Sequence, residues 1–135
     1  MSTRSQIARQ TKKGIESIYC HHDGCPEHHA PILVQHYASP QAFTRLLALG
    51  DLSVLGRDIG RKQDFRQHIE KHPDWCLAYG RDRGDKRCAK RAFRTEEAFL
   101  DHARKAWACY AYLFRDGRWV YRNMHDDHGW QDLPA

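Results

Sequence analysis

At 135 residues, with 41% hydrophobic residues and a formal charge of +5, the chain is long enough to bury one core and too apolar to be disordered. Its five cysteines, an odd number, do not form a disulfide framework by count, and no apolar run approaches the roughly 20 residues of a membrane-spanning helix. The opening MSTRSQIARQTKKG lacks the apolar region of a secretory signal, so a cytoplasmic protein is expected.

Partly alternating apolar and polar residues on either side of TKKG predict a β-hairpin near 5–10 and 16–22. HDGCPE then breaks the pattern with an Asp-Gly turn and a proline, and Ile32, Leu33 and His36/Tyr37 suit a short helix. In ASPQAFTRLLALGD, Ser39 can cap, Pro40 fits the first helical position and Gly50 fits the stop. Asp51 reads as the cap of another short helix carrying Leu52 and Leu55. RDIGRKQDFRQHIEKHPD reads as a partly helical surface excursion ended by Pro73.

WCLAYG has the composition of a strand, RDRGDKR that of a loop, and CAKRAF alternates as a strand returning antiparallel. TEEAFLDHARKA has a capping threonine, acids in its first turn and cations in its last, all favourable to a helix dipole. ACYAYLF and RWVYRNM, joined at Asp116-Gly117, predict a second hairpin. The tail from 125 to 135 has no periodicity and is expected to be loosely held. Hairpins alternating with helices, without βαβ spacing, predict a single α+β domain with helices on one face of an antiparallel sheet.

Residues 18–37, IYCHHDGCPEHHAPILVQHY, concentrate the chain's chemistry. Cys20, Cys25, His28 and His29 have the donor types of a zinc site, but no second half-site accompanies them, so no metal and no cofactor is assigned. A thiolate at Cys20 or Cys25 with a histidine base and Asp23 would make a small hydrolase or transferase, although proximity in sequence is not a triad. The plainer reading is a polar connection in which His21 and Asp23 serve the turn or a recognition surface. Cys76 and Cys109 lie in apolar runs and read as small buried hydrophobes, while Cys88 lies among cations that can lower a thiol's pKa, although a single thiol beside lysines is more often incidental. Phosphate-loop, nucleophile-elbow and zinc-protease motifs are missing from the sequence.

Arg81, Arg83, Lys86, Arg87, Lys90, Arg91 and Arg94 against Asp82 and Asp85 place the whole net charge in one short segment. A loop presenting several guanidinium groups suits an acidic protein, a phosphorylated ligand or a nucleic-acid backbone.

Taken together, MSTRSQIA, the IYCHHDG stretch, LLALGDLSVLG, LAYGRDRG and YAYLF resemble a family of small uncharacterised bacteriophage and mobile-element proteins. That family opens Met-Ser-Thr-Arg-Ser and carries an Ile-Tyr-Cys-His-x-Asp-Gly signature. Tyr19, Cys20, His21, Asp23 and Gly24 match the signature, as do Tyr79, Arg81, Asp82 and Arg83 in a second stretch. Where the family has an aromatic residue and a tyrosine, this chain has His22 and Cys25. The resemblance implies an accessory protein rather than an assigned activity.

The sequence therefore favours stoichiometric binding over catalysis, with counter-defence of an anti-CRISPR kind against a host protein or nucleoprotein complex as the expected role. No catalytic residue is assigned. The residues singled out for binding are His21, Asp23, Tyr79, Arg81, Arg83, Arg87 and Arg91. A nucleic-acid-binding regulator acting through residues 81–94 and the small cysteine-histidine enzyme are the alternatives. Oligomeric state is left open.

Overall fold

A computed structural model describes residues 2–126 and 128–133. The chain runs β1 (Ser5–Thr11), β2 (Gly14–Cys20), α1 (Pro26–His36), α2 (Pro40–Ala48), β3 (Leu52–Val54), a 3-10 turn (Phe65–Gln67) and α3 (His68–Lys71). It continues through β4 (Leu77–Ala78), α4 (Tyr79–Arg83), β5 (Arg91–Phe93), α5 (Glu96–Lys105), β6 (Tyr110–Arg115), β7 (Arg118–Asn123) and β8 (Gln131–Asp132).

The strands form one sheet in the order β4-β3-β2-β1-β6-β7-β8, with β5 alongside β2. The two predicted hairpins, β1–β2 and β6–β7, are both present. The sheet as a whole is mixed rather than antiparallel, because β1 pairs parallel with β6 and β2 parallel with β3. Parallel contacts require distant segments to meet, which local periodicity does not encode.

Strand alternation divides the core in two. Ile7, Ile18, Cys20, Tyr112 and Trp119 face α1 and α2 through Leu33, Phe43, Leu46 and Leu47. On the other side Ala8, Ile15, Ala111, Leu113 and Val120 meet Phe99 and Leu100 of α5. Helices thus cover both faces, not one. Each buried leucine or phenylalanine contributes roughly 1.5–3 kcal/mol relative to exposure. The α2 and α5 caps are Ser39 and Thr95, whose hydroxyls accept from the Ala42 and Ala98 amides at 3.2 and 3.1 Å.

Three local expectations change. Leu52 and Leu55 lie in and after a strand instead of a helix, and β3 adds to the edge of β2 at Cys20↔Leu52. RDRGDKR begins as the helical turn α4, and β5 returns against β2 rather than against WCLAYG. The C-terminal segment is paired at 131–132, and Leu133 donates its amide to Trp119 O at 3.2 Å and is buried. Of that predicted tail, residues 127, 134 and 135 lie outside the described residues.

Among the described residues no helix is long and apolar enough to cross a membrane.

Candidate functional site

The Cys-His connection is built for packing. Gly24 donates its amide to Thr3 O at 2.8 Å, and a Cβ there would stand 2.7 Å from the same oxygen. Asp23 just before it takes φ +57°, a conformation asparagine and aspartate tolerate better than most residues. Tyr112 donates its hydroxyl to Gly24 O at 2.6 Å, which pins the turn to β6. His29 is fully buried, with Nε2 3.0 Å from Ser5 Oγ and Nδ1 3.0 Å from His28 Nδ1. Burial, then the neighbouring His28, depresses its pKa to about 3, so this imidazole is neutral.

Cys20, His21 and Asp23 do not assemble as a catalytic trio. Cys20 points into the α1/α2 core, and burial pushes its thiol up to about 12, leaving no thiolate at neutral pH. His21 lies on the other side of the strand, its Nδ1 2.7 Å from the Tyr19 hydroxyl, with its pKa lowered by burial and then by His22 and Arg4. Asp23 is exposed in its turn. Cys25 is also raised, by burial first. Among the described residues, no three His, Cys, Asp or Glu side chains converge as a metal site.

A different centre emerges at Asp51. β3 and β5 both line one edge of β2, and Tyr19 falls in the gap between them. The Asp51 carboxylate fills that gap: Oδ1 accepts the Tyr19 amide at 3.0 Å, and Arg91 Nη1 donates to Oδ1 and Oδ2 at 3.1 and 3.2 Å. Asp51 also donates its amide to Cys88 O at 2.7 Å and accepts the Tyr79 amide on its carbonyl at 3.2 Å. Gly50 must be glycine, since φ is +74° and a Cβ would lie 2.2 Å from Cys88 O. The three stretches IYC, GDL and AYG therefore meet at one residue, Asp51, through its carboxylate and its backbone. The Gly-Asp pair signals a helix cap in the sequence, whereas in the fold Asp51 precedes β3 and joins it to β2.

Most of the basic segment is tied down internally. Arg81 donates to Asp82, to Ile59 O at 2.7 Å and to Cys76 O at 2.7 Å, so its guanidinium is a structural clamp rather than an exposed charge. Arg83 pairs with Asp85 at 2.9 and 2.7 Å and lies over the rings of Phe65 and Tyr79, which stack on each other. Lys90 pairs with Glu16 at 2.9 Å. Lys86, Arg87 and Arg94 are exposed and, among the described residues, have no carboxylate partner. Cys88 is half-buried and its thiol is raised, by burial and then by Asp51, so the cations around it do not activate it.

Trp107 lies inside the apolar run AWACYAYLF, where its exposure has no local signal. It follows α5, 75% exposed, at φ +62°. Ala108 donates its amide to Ala103 O and Trp107 donates its amide to Arg104 O, both at 3.0 Å, which is a Schellman end with tryptophan where glycine is usual. The detectable signal was a well-capped helix whose C-terminus lacked a glycine.

Comparison of the chain with family models, with curated proteins and with solved structures finds no match.

Proposed function

We propose that this protein acts by stoichiometric binding, as an accessory protein of a bacteriophage or mobile element that engages a host protein or nucleoprotein complex inside the bacterial cell. The observation that carries the reading is Trp107. A large aromatic ring held in a left-handed conformation and turned to solvent contributes nothing to the core, and the strain costs about 1–2 kcal/mol. Strain kept in an exposed position is a reason to look for a partner, and tryptophan is a favoured anchor of binding interfaces.

A cleft begins beside that ring. Ala106, its neighbour, lines a cleft with Arg91, and Arg104 in the last turn of α5 is exposed. Lys86, Arg87 and Arg94, without a carboxylate partner among the described residues, carry further positive charge in the segment leading into and out of β5. An exposed aromatic anchor and exposed cations on the same chain suit an acidic protein surface, where charge steers encounter and the ring holds the complex. Counter-defence is the proposed biological setting by analogy with small mobile-element proteins that lack a visible active site.

The experiment is affinity capture from a bacterial host lysate, with mass spectrometry of retained protein and nucleic acid, followed by titration of the captured partner. The expected result is one partner saturating at a fixed ratio. Salt identifies its class. Three unpaired cations of the segment allow a slope of log affinity against log salt no steeper than about −3 for a nucleic-acid backbone, at about 0.9 per phosphate. Turnover of a small molecule without a saturating partner would contradict the reading.

A further inference from the structure

β5 pairs with Ile15, Glu16 and Ser17 of β2, and no described strand pairs with its far side. The direction of its backbone groups follows from Tyr19. That amide points away from β1, to Asp51 Oδ1 at 3.0 Å. By strand alternation the backbones of Ser17 and Ile15 point the same way, toward Arg91 and Phe93. Phe93 O accordingly packs against Gly14 and leaves no room for a Cβ there. The amide and carbonyl of Ala92 are thus left on the outer side of an exposed residue. Neither has a backbone partner among the described residues.

Charge decides what such an edge accepts. Lys90 and Arg94 stand two residues to either side of Ala92, and both are exposed. Beside the strand runs a groove of about 320 Å³ with Ile15, Ala92 and Phe93 in its wall, and Lys12 and Lys13 of the β1–β2 turn line it too. Lys12, Lys13 and Arg94 have no carboxylate partner among the described residues. Glu16, the acid on the groove, is already shared between Arg9 at 2.7 Å and Lys90 at 2.9 Å. A second copy pairing symmetrically through Ala92 would set Lys90 of one chain against Arg94 of the other, a like-charge pair. An acidic strand meets the same positions with opposite charge.

We propose that the outer edge of β5 takes up an extended acidic segment of a partner protein as an added strand. Main-chain pairing runs through the Ala92 amide and carbonyl, an apolar side chain enters the groove beside Phe93, and carboxylates meet Lys12, Lys13 and Arg94. An open strand edge, an apolar groove and cations that repel a second copy together set the preference. Three residues give few ladder bonds, so charge selects the partner and the backbone fixes its register. The inference rests on the stoichiometric-binding reading only for the class of partner. It does not require Trp107, and the two surfaces are measured separately.

The test is titration of the full chain with a short blocked peptide alternating glutamate and valine, its lysine–valine counterpart serving as control. Calorimetry follows binding and amide hydrogen exchange locates it. The acidic peptide should saturate at one-to-one and slow exchange at Ala92, and the lysine peptide should not bind. Ala92→Pro removes the outward amide and keeps the inward bonds of Arg91 and Phe93, a position where an edge strand tolerates proline. It should bind the acidic peptide about tenfold more weakly, as for loss of one main-chain bond. If that variant does not fold, Arg94→Glu decides, since it reverses an exposed charge; it too should bind about tenfold more weakly. No saturation, equal binding of both peptides, saturation without protection of Ala92, or unchanged affinity in a folded variant overturns the proposal. Self-association of the chain that Ala92→Pro abolishes would assign the edge to a second copy and overturn it as well. None of these readouts uses a captured partner, so their failure is distinct from failure of the Trp107 reading.

Discussion

Arg81 and Asp82 are adjacent in the chain and locked together in space, Nε to Oδ1 at 2.9 Å and Nη2 to Oδ2 at 3.2 Å. Asp82 also accepts the Gln63 and Ala78 amides, and Arg81 reaches Ile59 O and Cys76 O. This pair ties the excursion through residues 59–63 to β4 and α4.

Arg81→Ala is therefore expected to cost about 3 kcal/mol, because it leaves a buried carboxylate without its partner. Arg83→Ala, at an exposed ion pair, should change stability by no more than about 1 kcal/mol. Urea unfolding of the two variants checks the contrast. Equal effects would mean that Arg81 does not clamp the fold.

His29 sets a pH dependence. Its folded pKa is about 3 against an ordinary 6.5, so the unfolded chain takes up a proton there first. The stability from keeping it neutral is fully present above about pH 6.5 and is lost as pH falls toward 3, by up to about 1.4 kcal/mol per pH unit. His21 and His102 are shifted in the same direction, chiefly by burial, and add to the trend. Unfolding measured at pH 7.5 and 5.5 should show the loss in the native chain and a smaller one in His29→Gln. Parallel profiles would remove His29 from the account.

The cysteines separate by reactivity. Cys20 and Cys76 are buried and burial raises both thiols, while Cys25, Cys88 and Cys109 are partly accessible. Alkylation at pH 8 followed by peptide mapping should spare Cys20 and Cys76 until denaturant is added. Rapid native labelling of Cys20 would reopen the thiol as a reactive group.

The elements that were legible in the sequence carry their own local signals. Asp116-Gly117 marks the β6–β7 turn, with positive φ at both residues, and Ser39 and Thr95 mark the helix starts. Leu52–Val54 was not legible, because three residues show no period and Leu52 and Leu55 fit a helix equally well. The parallel contacts of β1 with β6 and β2 with β3 depend on segments distant in sequence. The same limit hid the site. Composition counted Arg81 and Arg83 alike, yet their fates depend on whether a buried carboxylate faces the guanidinium. Gln6 looked like any polar residue of a strand until the fold buried its amide.

The most direct test of binding through an exposed anchor is Trp107→Gly. Glycine adopts φ +62° without strain, so the variant should fold with stability unchanged or higher by about 1 kcal/mol. Its affinity for the captured partner should fall at least tenfold, as expected for loss of a hot-spot tryptophan. A more stable variant that no longer binds is the result the account predicts. Wild-type affinity in the folded Trp107→Gly protein would contradict it.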